Sequence, residues 1–128
     1  MIMVDTDVLI WILRGHIDIK EKMLEFIQDI SIKLFITPIQ ISEIYAGLKE
    51  NEKIKTSLFL DSFPCITIDS QIGKLAGEYV NKYKKSHGVT VSDSLIAACS
   101  KIHNLQLWTL NIKHYPMLGK DDIITLKK

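Results

Sequence analysis

Two aspartates interrupt the apolar run with which this chain opens. Asp5 and Asp7 stand in a segment, residues 2–13, whose other members are apolar except for Thr6. A short apolar segment without polar alternation is typical of a strand buried on both faces at the centre of a parallel sheet. An acid at the last residue of such a strand faces the crevice where ligands bind in open α/β sheets. We therefore interpret Asp5 as the first member of an acidic site, and Asp7 as the N-cap of a helix that begins at Val8.

Three more oxygen-bearing side chains occupy comparable positions later in the chain. Glu43 lies in a predicted helix, residues 38–48, on the side opposite its apolar stripe. Asp93 belongs to the first turn of another predicted helix, and Asn111 follows a strand predicted over residues 105–109. The Thr-x-x-Asp spacing that ends at Asp93 also matches a capping box, which by itself explains an acid at that position.

The elements that must position these residues alternate between strands and helices, which predicts an α/β fold with a mainly parallel sheet of four to five strands. Parallel strands end at one edge of a sheet, so Asp5 and Asn111 are expected at one rim, and Glu43 and Asp93 are expected to converge there from early helical turns. Strands are predicted over residues 2–5, 34–37, 65–68, 105–109 and 123–126, and helices over residues 8–13, 17–30, 38–48, 57–63, 69–86 and 89–100. The second helix is predicted to carry one apolar stripe of Met23, Leu24, Ile27 and Ile30.

Composition sets the class of protein. With 128 residues the chain is predicted to form a single domain, residues 1–128, and its 47% hydrophobic and 24% charged residues are those of an ordinary globular protein. The net charge of +1 provides no global field for nucleic acid, so phosphate binding has to come from local basic groups and metal ions. Cys65 and Cys99 stand in apolar contexts without metal-ligand spacing, which favours buried thiols in a reducing cytoplasm. Neither a signal peptide nor a membrane span is indicated, so a cytoplasmic location is expected.

The acidic residues together indicate a hard divalent cation. Carboxylates that converge on one crevice repel each other, and a divalent cation removes that repulsion. A ligand set made only of oxygen atoms favours Mg²⁺ or Mn²⁺ over zinc. Such an ion polarises a phosphate and activates a water, so the site predicts metal-dependent phosphodiester hydrolysis.

Four segments, in this order, also resemble the successive motifs of a known family. The chain is similar to the PIN-domain ribonucleases, specifically to the VapC toxins of bacterial and archaeal toxin–antitoxin pairs. The match spans nearly the whole chain and is carried by residues 3–10 (MVDTDVLI), 41–47 (ISEIYAG), 92–98 (SDSLIAA) and 107–115 (LWTLNIKHY).

This resemblance implies a three-layer PIN-like fold and a Mg²⁺- or Mn²⁺-dependent endoribonuclease that cleaves RNA. Asp5 and Asp93 would be direct metal ligands, and Glu43 would be a ligand or would orient the attacking water. The fourth acid of the family is replaced by Asn111, which can coordinate through its carbonyl or position a water but brings no charge. The resemblance further implies a homodimer that is inhibited by a cognate VapB-like antitoxin.

Four neighbouring residues are candidates for substrate binding. Thr6 and Thr109, at strand ends, could hydrogen-bond a phosphate or a ligating carboxylate, although threonines at such positions are more often structural. Lys113 and His114 follow Asn111 and could contact RNA phosphates, while a solvated loop explains the pair equally well.

Two alternatives to a nuclease remain open on the sequence. Asp-Thr-Asp after an apolar strand also resembles the nucleophile motif of haloacid-dehalogenase-type phosphatases, in which Asp5 would attack phosphorus. That family needs a later lysine and an acidic pair, which residues 119–122 (GKDD) imitate only loosely. The second alternative is a non-catalytic binding module that keeps the PIN fold and has lost the chemistry, with Asn111 as its sign.

Overall fold

A parallel sheet forms the centre of the protein. The computed structural model describes residues 1–125, and within them four strands pair in the order β2-β1-β3-β4, every pair parallel. This arrangement confirms the predicted α/β fold and places β1 in the interior of the sheet. The strands are β1 (Ile2–Val4), β2 (Leu34–Phe35), β3 (Gln106–Trp108) and β4 (Ile123–Ile124). The last strand was predicted to reach Leu126, which lies outside the described residues.

Helices connect the strands and cover both faces of the sheet. The helices of the described residues are α1 (Thr6–Leu13), α2 (Ile17–Gln28), α3 (Pro38–Ala46), α4 (Lys53–Asp61), α5 (Ser70–His87) and α6 (Val91–Ile102). Side chains of α1 to α4 pack with Ile2 and Val4 on one face, while α5 and α6 pack with Met3 on the other. The result is three layers, and β1 is apolar throughout because its alternate side chains enter two separate cores.

The predicted strand over residues 65–68 is wrong. This segment meets the sheet only through one parallel bridge between Ile36 and Cys65, in which Ile66 donates its N–H to the carbonyl of Ile36. The chain then leaves the sheet edge toward Asp69, the N-cap of α5. Because Cys65 lies at this edge, it is exposed, whereas Cys99 is buried as predicted.

Helix α2 does not bury the stripe that its sequence suggested. Leu24 and Ile27 are 52% and 57% exposed, and Ile30 lies beyond the end of the helix. The residues of α2 that are buried are Ile19 and Phe26. The helix is apolar on two faces, and only one of them reaches the core, so the second leaves an apolar surface in solvent.

The start of α3 is tied to the end of β1 by a buried amide. Thr37 caps the helix, Pro38 takes its first turn, and Gln40 completes a capping box. The fully buried Gln40 accepts a hydrogen bond from the Thr37 N–H and donates one to the carbonyl of Val4 at 2.9 Å. An uncharged side chain therefore fixes the position of α3, and with it Glu43, relative to β1.

No helix within residues 1–125 combines the length and the apolar character that crossing a membrane requires.

We predict that Gln40→Ala lowers the free energy of unfolding by about 3 kcal/mol, since it leaves the Val4 carbonyl and the Thr37 N–H unpaired in the core and creates a cavity. Urea denaturation measures this change. Ser42→Ala, at an exposed position of the same helix, is the control and should stay within about 0.5 kcal/mol of the unsubstituted protein. Equal stability of the two variants would contradict the role given to Gln40.

Candidate acidic site

Asp5 lies directly after β1, at the carboxyl edge of the sheet. Its side chain accepts a hydrogen bond from the N–H of Thr6 at 2.9 Å and serves as the N-cap of α1. The helix therefore begins at Thr6, and the prediction that Asp7 caps a helix starting at Val8 is wrong. The physical reason is position: Asp5 precedes the first residue of the helix, so its side chain can accept a hydrogen bond from the free N–H of Thr6, whereas Asp7 already lies inside the first turn.

The surroundings of Asp5 disfavour its charge. The residue is only 6% exposed, and its second carboxylate oxygen accepts a hydrogen bond from the hydroxyl of Thr109 at 2.7 Å. Burial, followed by the nearby charge of Asp7, raises the pKa of Asp5 to about 7 despite these hydrogen bonds. Asp5 is thus poised to take up or release a proton, or to bind a cation, near neutral pH.

Asp7 belongs to the same site, although sequence reasoning gave it a structural role. One of its oxygens accepts a hydrogen bond from the N–H of Val8. The other accepts hydrogen bonds from the N–H of Leu110 at 3.1 Å and the side-chain amide of Asn111 at 3.2 Å. Burial raises the pKa of Asp7 as well. The sequence signal that could have found it is the pairing of two acids in one apolar run.

Glu43 reaches the site from the second turn of α3. The hydroxyl of Thr6 donates a hydrogen bond to its carboxylate at 2.7 Å. Thr6 directly follows Asp5, so Glu43 is linked to the strand end through a single side chain. Glu43 is more exposed than Asp5, which leaves one side of its carboxylate open to solvent.

Asp93 reaches the site from the first turn of α6, whose N-cap, Thr90, accepts a hydrogen bond from the Asp93 N–H. The capping interaction uses the Asp93 backbone and leaves its carboxylate free for other contacts. One carboxylate oxygen lies 3.4 Å from the hydroxyl of Tyr115, and the other lies 3.4 Å from Nδ1 of His114.

Tyr115 is a site residue that the sequence did not single out. It is 1% exposed, and burial together with the charges of Asp5 and Asp93 raises its pKa, so its hydroxyl keeps its proton. That hydroxyl donates toward Asp93 and also lowers the pKa of Asp5. A buried tyrosine needs a hydrogen-bond partner for its hydroxyl, and the signal for this role is only its place four residues after Asn111.

The remaining predicted residues divide into two groups. Thr109 is fully buried, where it donates to Asp5 and accepts a hydrogen bond from the Asn111 N–H, so it holds a carboxylate. Lys113 and His114 lie in the turn formed by Ile112–His114 and are exposed beside the site.

The site therefore joins the predicted acids through hydroxyl groups. Thr6, Thr109 and Tyr115 each stand between carboxylates or beside one, which separates the negative charges without burying them unpaired. Within residues 1–125, no three acidic, histidine or cysteine side chains lie together closely enough to hold a metal ion as they stand. The donors are all hard oxygen atoms around a carboxylate whose charge is disfavoured, and this chemistry fits Mg²⁺ or Mn²⁺.

Comparisons with known proteins agree with this arrangement. The family model described as PIN domain matches residues 2–115. The chain is 34% identical to Ribonuclease VapC10 of Mycobacterium tuberculosis, over 91% of this chain and 87% of the relative. It is 40% identical to Ribonuclease VapC3 of Methanocaldococcus jannaschii, over 74% of this chain and 93% of the relative. Among solved structures, a toxin–antitoxin complex from Klebsiella pneumoniae shares the fold, with a TM-score of 0.81, 24% identity, and coverage of 98% of this chain and 97% of that one.

We predict that the metal-free protein loses stability as the pH rises from about 4 to about 7, because folded Asp5 retains a proton that the unfolded chain has already released. Asp5→Asn removes this loss and preserves the cap, since asparagine is an equally good N-cap residue. Thermal melts in EDTA should show the variant about 5 °C or more above the unsubstituted protein near pH 8, and no such gain near pH 4.

The exposed Asp18, in the first turn of α2, provides the matched control. Asp18→Asn should leave the difference in Tm between the two pH values unchanged. A gain from Asp5→Asn of equal size at both pH values would show that charge burial is not its cause.

Proposed function

The chain belongs to the PIN domain family, and from this premise we propose that it is an endoribonuclease, dependent on Mg²⁺ or Mn²⁺, that acts as the toxin of a toxin–antitoxin pair. The observation that carries the proposal is the environment of the buried Asp5. Its carboxylate accepts a hydrogen bond from the N–H of Thr6, whose own hydroxyl donates to Glu43, and another from the hydroxyl of Thr109, which lies 3.5 Å from Asp7. The two relatives described above are both named ribonucleases, which supports RNA as the substrate.

We assign the cation to Asp5 and Asp93, with Glu43 as a third ligand or as the group that orients the attacking water. When bound there, the ion supplies charge to stabilise the phosphodiester and makes a water molecule more acidic. Asp5 is buried and accepts hydrogen bonds from the N–H of Thr6 and the hydroxyl of Thr109, so it would offer the ion a ligand that the fold has already positioned. The exposed side of Glu43 faces the solvent from which the water must come.

The neighbouring residues hold and surround these ligands. Thr6 and Thr109 donate to carboxylates, so we now assign them to orienting Glu43 and Asp5 in place of binding phosphate. Lys113 and His114 are exposed on the rim and are proposed to contact RNA phosphates. Asn111 is a polar positioning group.

The phosphatase alternative is not favoured. It requires the acidic pair of residues 119–122 beside Asp5. This segment precedes β4 and contacts Gln106, the first residue of β3, so it lies at the amino edge of the parallel sheet. Asp5 lies at the carboxyl edge, on the opposite side.

An apolar groove between α2 and α4 is our candidate for the antitoxin contact. It has a volume of about 590 Å³ and is lined mainly by apolar side chains. Ile27 on its rim is 57% exposed, and Ile54 and Leu58 on α4 are 80% and 69% exposed. An apolar groove with exposed apolar side chains on the helices that form it is typical of a binding site for an amphipathic helix. The solved structure from Klebsiella pneumoniae that shares the fold is described as a toxin–antitoxin complex, which supports an antitoxin as a binding partner.

We further propose a homodimer that acts in the cytoplasm, where its RNA substrate is found, and a single catalytic domain over residues 1–128.

We predict that Asp5→Asn and Asp93→Asn each lower the rate of RNA cleavage by more than about a hundredfold, because each removes a charge that holds the cation in the transition state. Both variants should keep the circular dichroism spectrum of the unsubstituted protein, since removing one charge from a repelling cluster does not destabilise it. Cleavage of a mixed-sequence RNA is measured with Mn²⁺, with Mg²⁺ and with EDTA.

Asp18→Asn is the control and should cleave like the unsubstituted protein. Three results would count against the proposal. Cleavage that persists in EDTA would exclude a metal mechanism, and a protein that binds Mn²⁺ weakly in calorimetry near neutral pH and cleaves nothing would be a non-catalytic module. A trapped aspartyl-phosphate at Asp5 would instead support the phosphatase.

We predict that Ile27→Glu weakens antitoxin binding by about thirtyfold or more, the size expected for an apolar contact at the centre of an interface. The test uses growth arrest on induction, with co-expression of the cognate antitoxin. Cells that express the unsubstituted toxin should recover on co-expression, whereas cells that express Ile27→Glu should stay arrested.

Ile17→Glu is the matched control, because Ile17 is 70% exposed on the same helix and does not line the groove. Its toxicity should be relieved normally. Full rescue of Ile27→Glu would place the antitoxin elsewhere on the surface.

A further inference from the structure

Asp7 and Asn111 meet where the ends of β1 and β3 lie side by side. One Asp7 oxygen is 3.2 Å from the side-chain nitrogen of Asn111 and 3.1 Å from the N–H of Leu110. These residues are more than a hundred positions apart in the sequence, so the contact depends on the pairing of β1 with β3. Position 111 is where the family resemblance places a fourth acid, and this chain has an amide there.

The contact fixes the orientation of the Asn111 amide. An ionised carboxylate only accepts hydrogen bonds, so the NH₂ group is the end of the amide that faces Asp7. The carbonyl oxygen of Asn111 must then point away from Asp7. Asp7 also holds the backbone of Leu110, and the Thr109 hydroxyl lies 3.5 Å from the same Asp7 oxygen. The loop after β3 is therefore fastened to the first turn of α1 by one carboxylate.

From this geometry we propose that Asp7 supplies the negative charge that position 111 lacks, and that it positions the Asn111 carbonyl for the divalent cation. In this chain the carboxylate of the contact belongs to the start of α1, and the amide belongs to the end of β3. Asp7 then supplies a negative charge beside position 111, while Asn111 contributes a neutral oxygen. This inference rests on the proposed function, because it assigns Asp7 a part in the same metal site.

A generic helix-start role does not account for these contacts. Acids in the first turn of a helix interact favourably with the helix dipole, and Asp18 in α2 has this position and is exposed. Asp7 has the same position in α1, yet it is half-buried and accepts hydrogen bonds from the loop after β3. Burying a charge is unfavourable, and a helix dipole alone gains nothing from it.

The experiment moves the charge and follows Mn²⁺ binding by calorimetry. Asp7→Asn should weaken Mn²⁺ affinity about tenfold or more, the range typical of residues that orient metal ligands. In the double variant Asp7→Asn/Asn111→Asp, the amide and the carboxylate exchange places and the hydrogen bond between them is preserved with reversed direction. Its Mn²⁺ affinity should return to within about threefold of the unsubstituted value, because the charge of the site is restored.

Asp18→Asn controls for a lost first-turn acid and should bind Mn²⁺ normally. Mn²⁺ binding by Asp5→Asn distinguishes a failure of this inference from a failure of the proposed function. If Asp5→Asn abolishes binding while Asp7→Asn leaves it unchanged, the role of Asp7 is overturned and the metal site stands. If the unsubstituted protein does not bind Mn²⁺, both are overturned. If Asp7→Asn fails to fold, the double variant decides: normal affinity supports the role of Asp7, and affinity reduced tenfold or more overturns it.

A second measurement distinguishes charge from packing. Asn111→Asp alone places two carboxylates in contact, so its Tm without metal should fall and the rise in its Tm on adding Mn²⁺ should exceed that of the unsubstituted protein. A purely structural Asp7 predicts the fall without the larger rise, and that result would overturn the proposal.

Discussion

A carboxylate at the buried end of an inner parallel strand is the constraint that the rest of the site has to satisfy. Asp5 follows β1 directly, where a strand covered on both faces leaves little room for water. The fold tolerates it by surrounding it with hydrogen-bond donors, namely the Thr6 N–H, the Thr109 hydroxyl and the Tyr115 hydroxyl. These donors do not offset the burial, since the pKa of Asp5 remains raised. A nearby cation would stabilise a carboxylate whose charge is disfavoured in this way, and the metal-dependent mechanism proposed above would use this property.

Much of the fold is visible in local sequence signals. The apolar run interrupted at Asp5 marks β1, the Thr37-Pro38 step marks α3, and Asp69 and Gly88 bound α5. Each of these signals concerns residues within a few positions of each other, so their physical meaning does not depend on distant parts of the chain. The acids at strand ends and early helical turns could be placed at one rim by the same reasoning, because parallel strands share an edge.

The features that sequence reasoning missed depend on pairing between distant segments. Nothing near Asp7 in the sequence reveals that its carboxylate meets Leu110 and Asn111, because that contact exists only once β1 and β3 lie in register. Tyr115 acquires its role from the packing of α6 over the sheet, which brings Asp93 to its hydroxyl. The exposure of Ile27 could not be predicted from the sequence for a different reason. Periodicity predicts which residues share a face of α2, but it does not reveal which of two apolar faces the core will cover.

The scaffold and the site use different physical interactions, and this separation matters for function. Gln40, an uncharged amide, anchors α3 to β1 just below Asp5 through hydrogen bonds that no change of pH or metal content alters. The carboxylates above it are joined through hydroxyls, which can turn to donate or to accept as the charge beside them changes. The proposed binding of a cation would then require the rearrangement of only a few side chains, while the strand and the helix that carry Asp5 and Glu43 would remain where the neutral anchor holds them. A neutral anchor of this kind would let the proposed site carry disfavoured charge without losing the geometry that a bound cation would need.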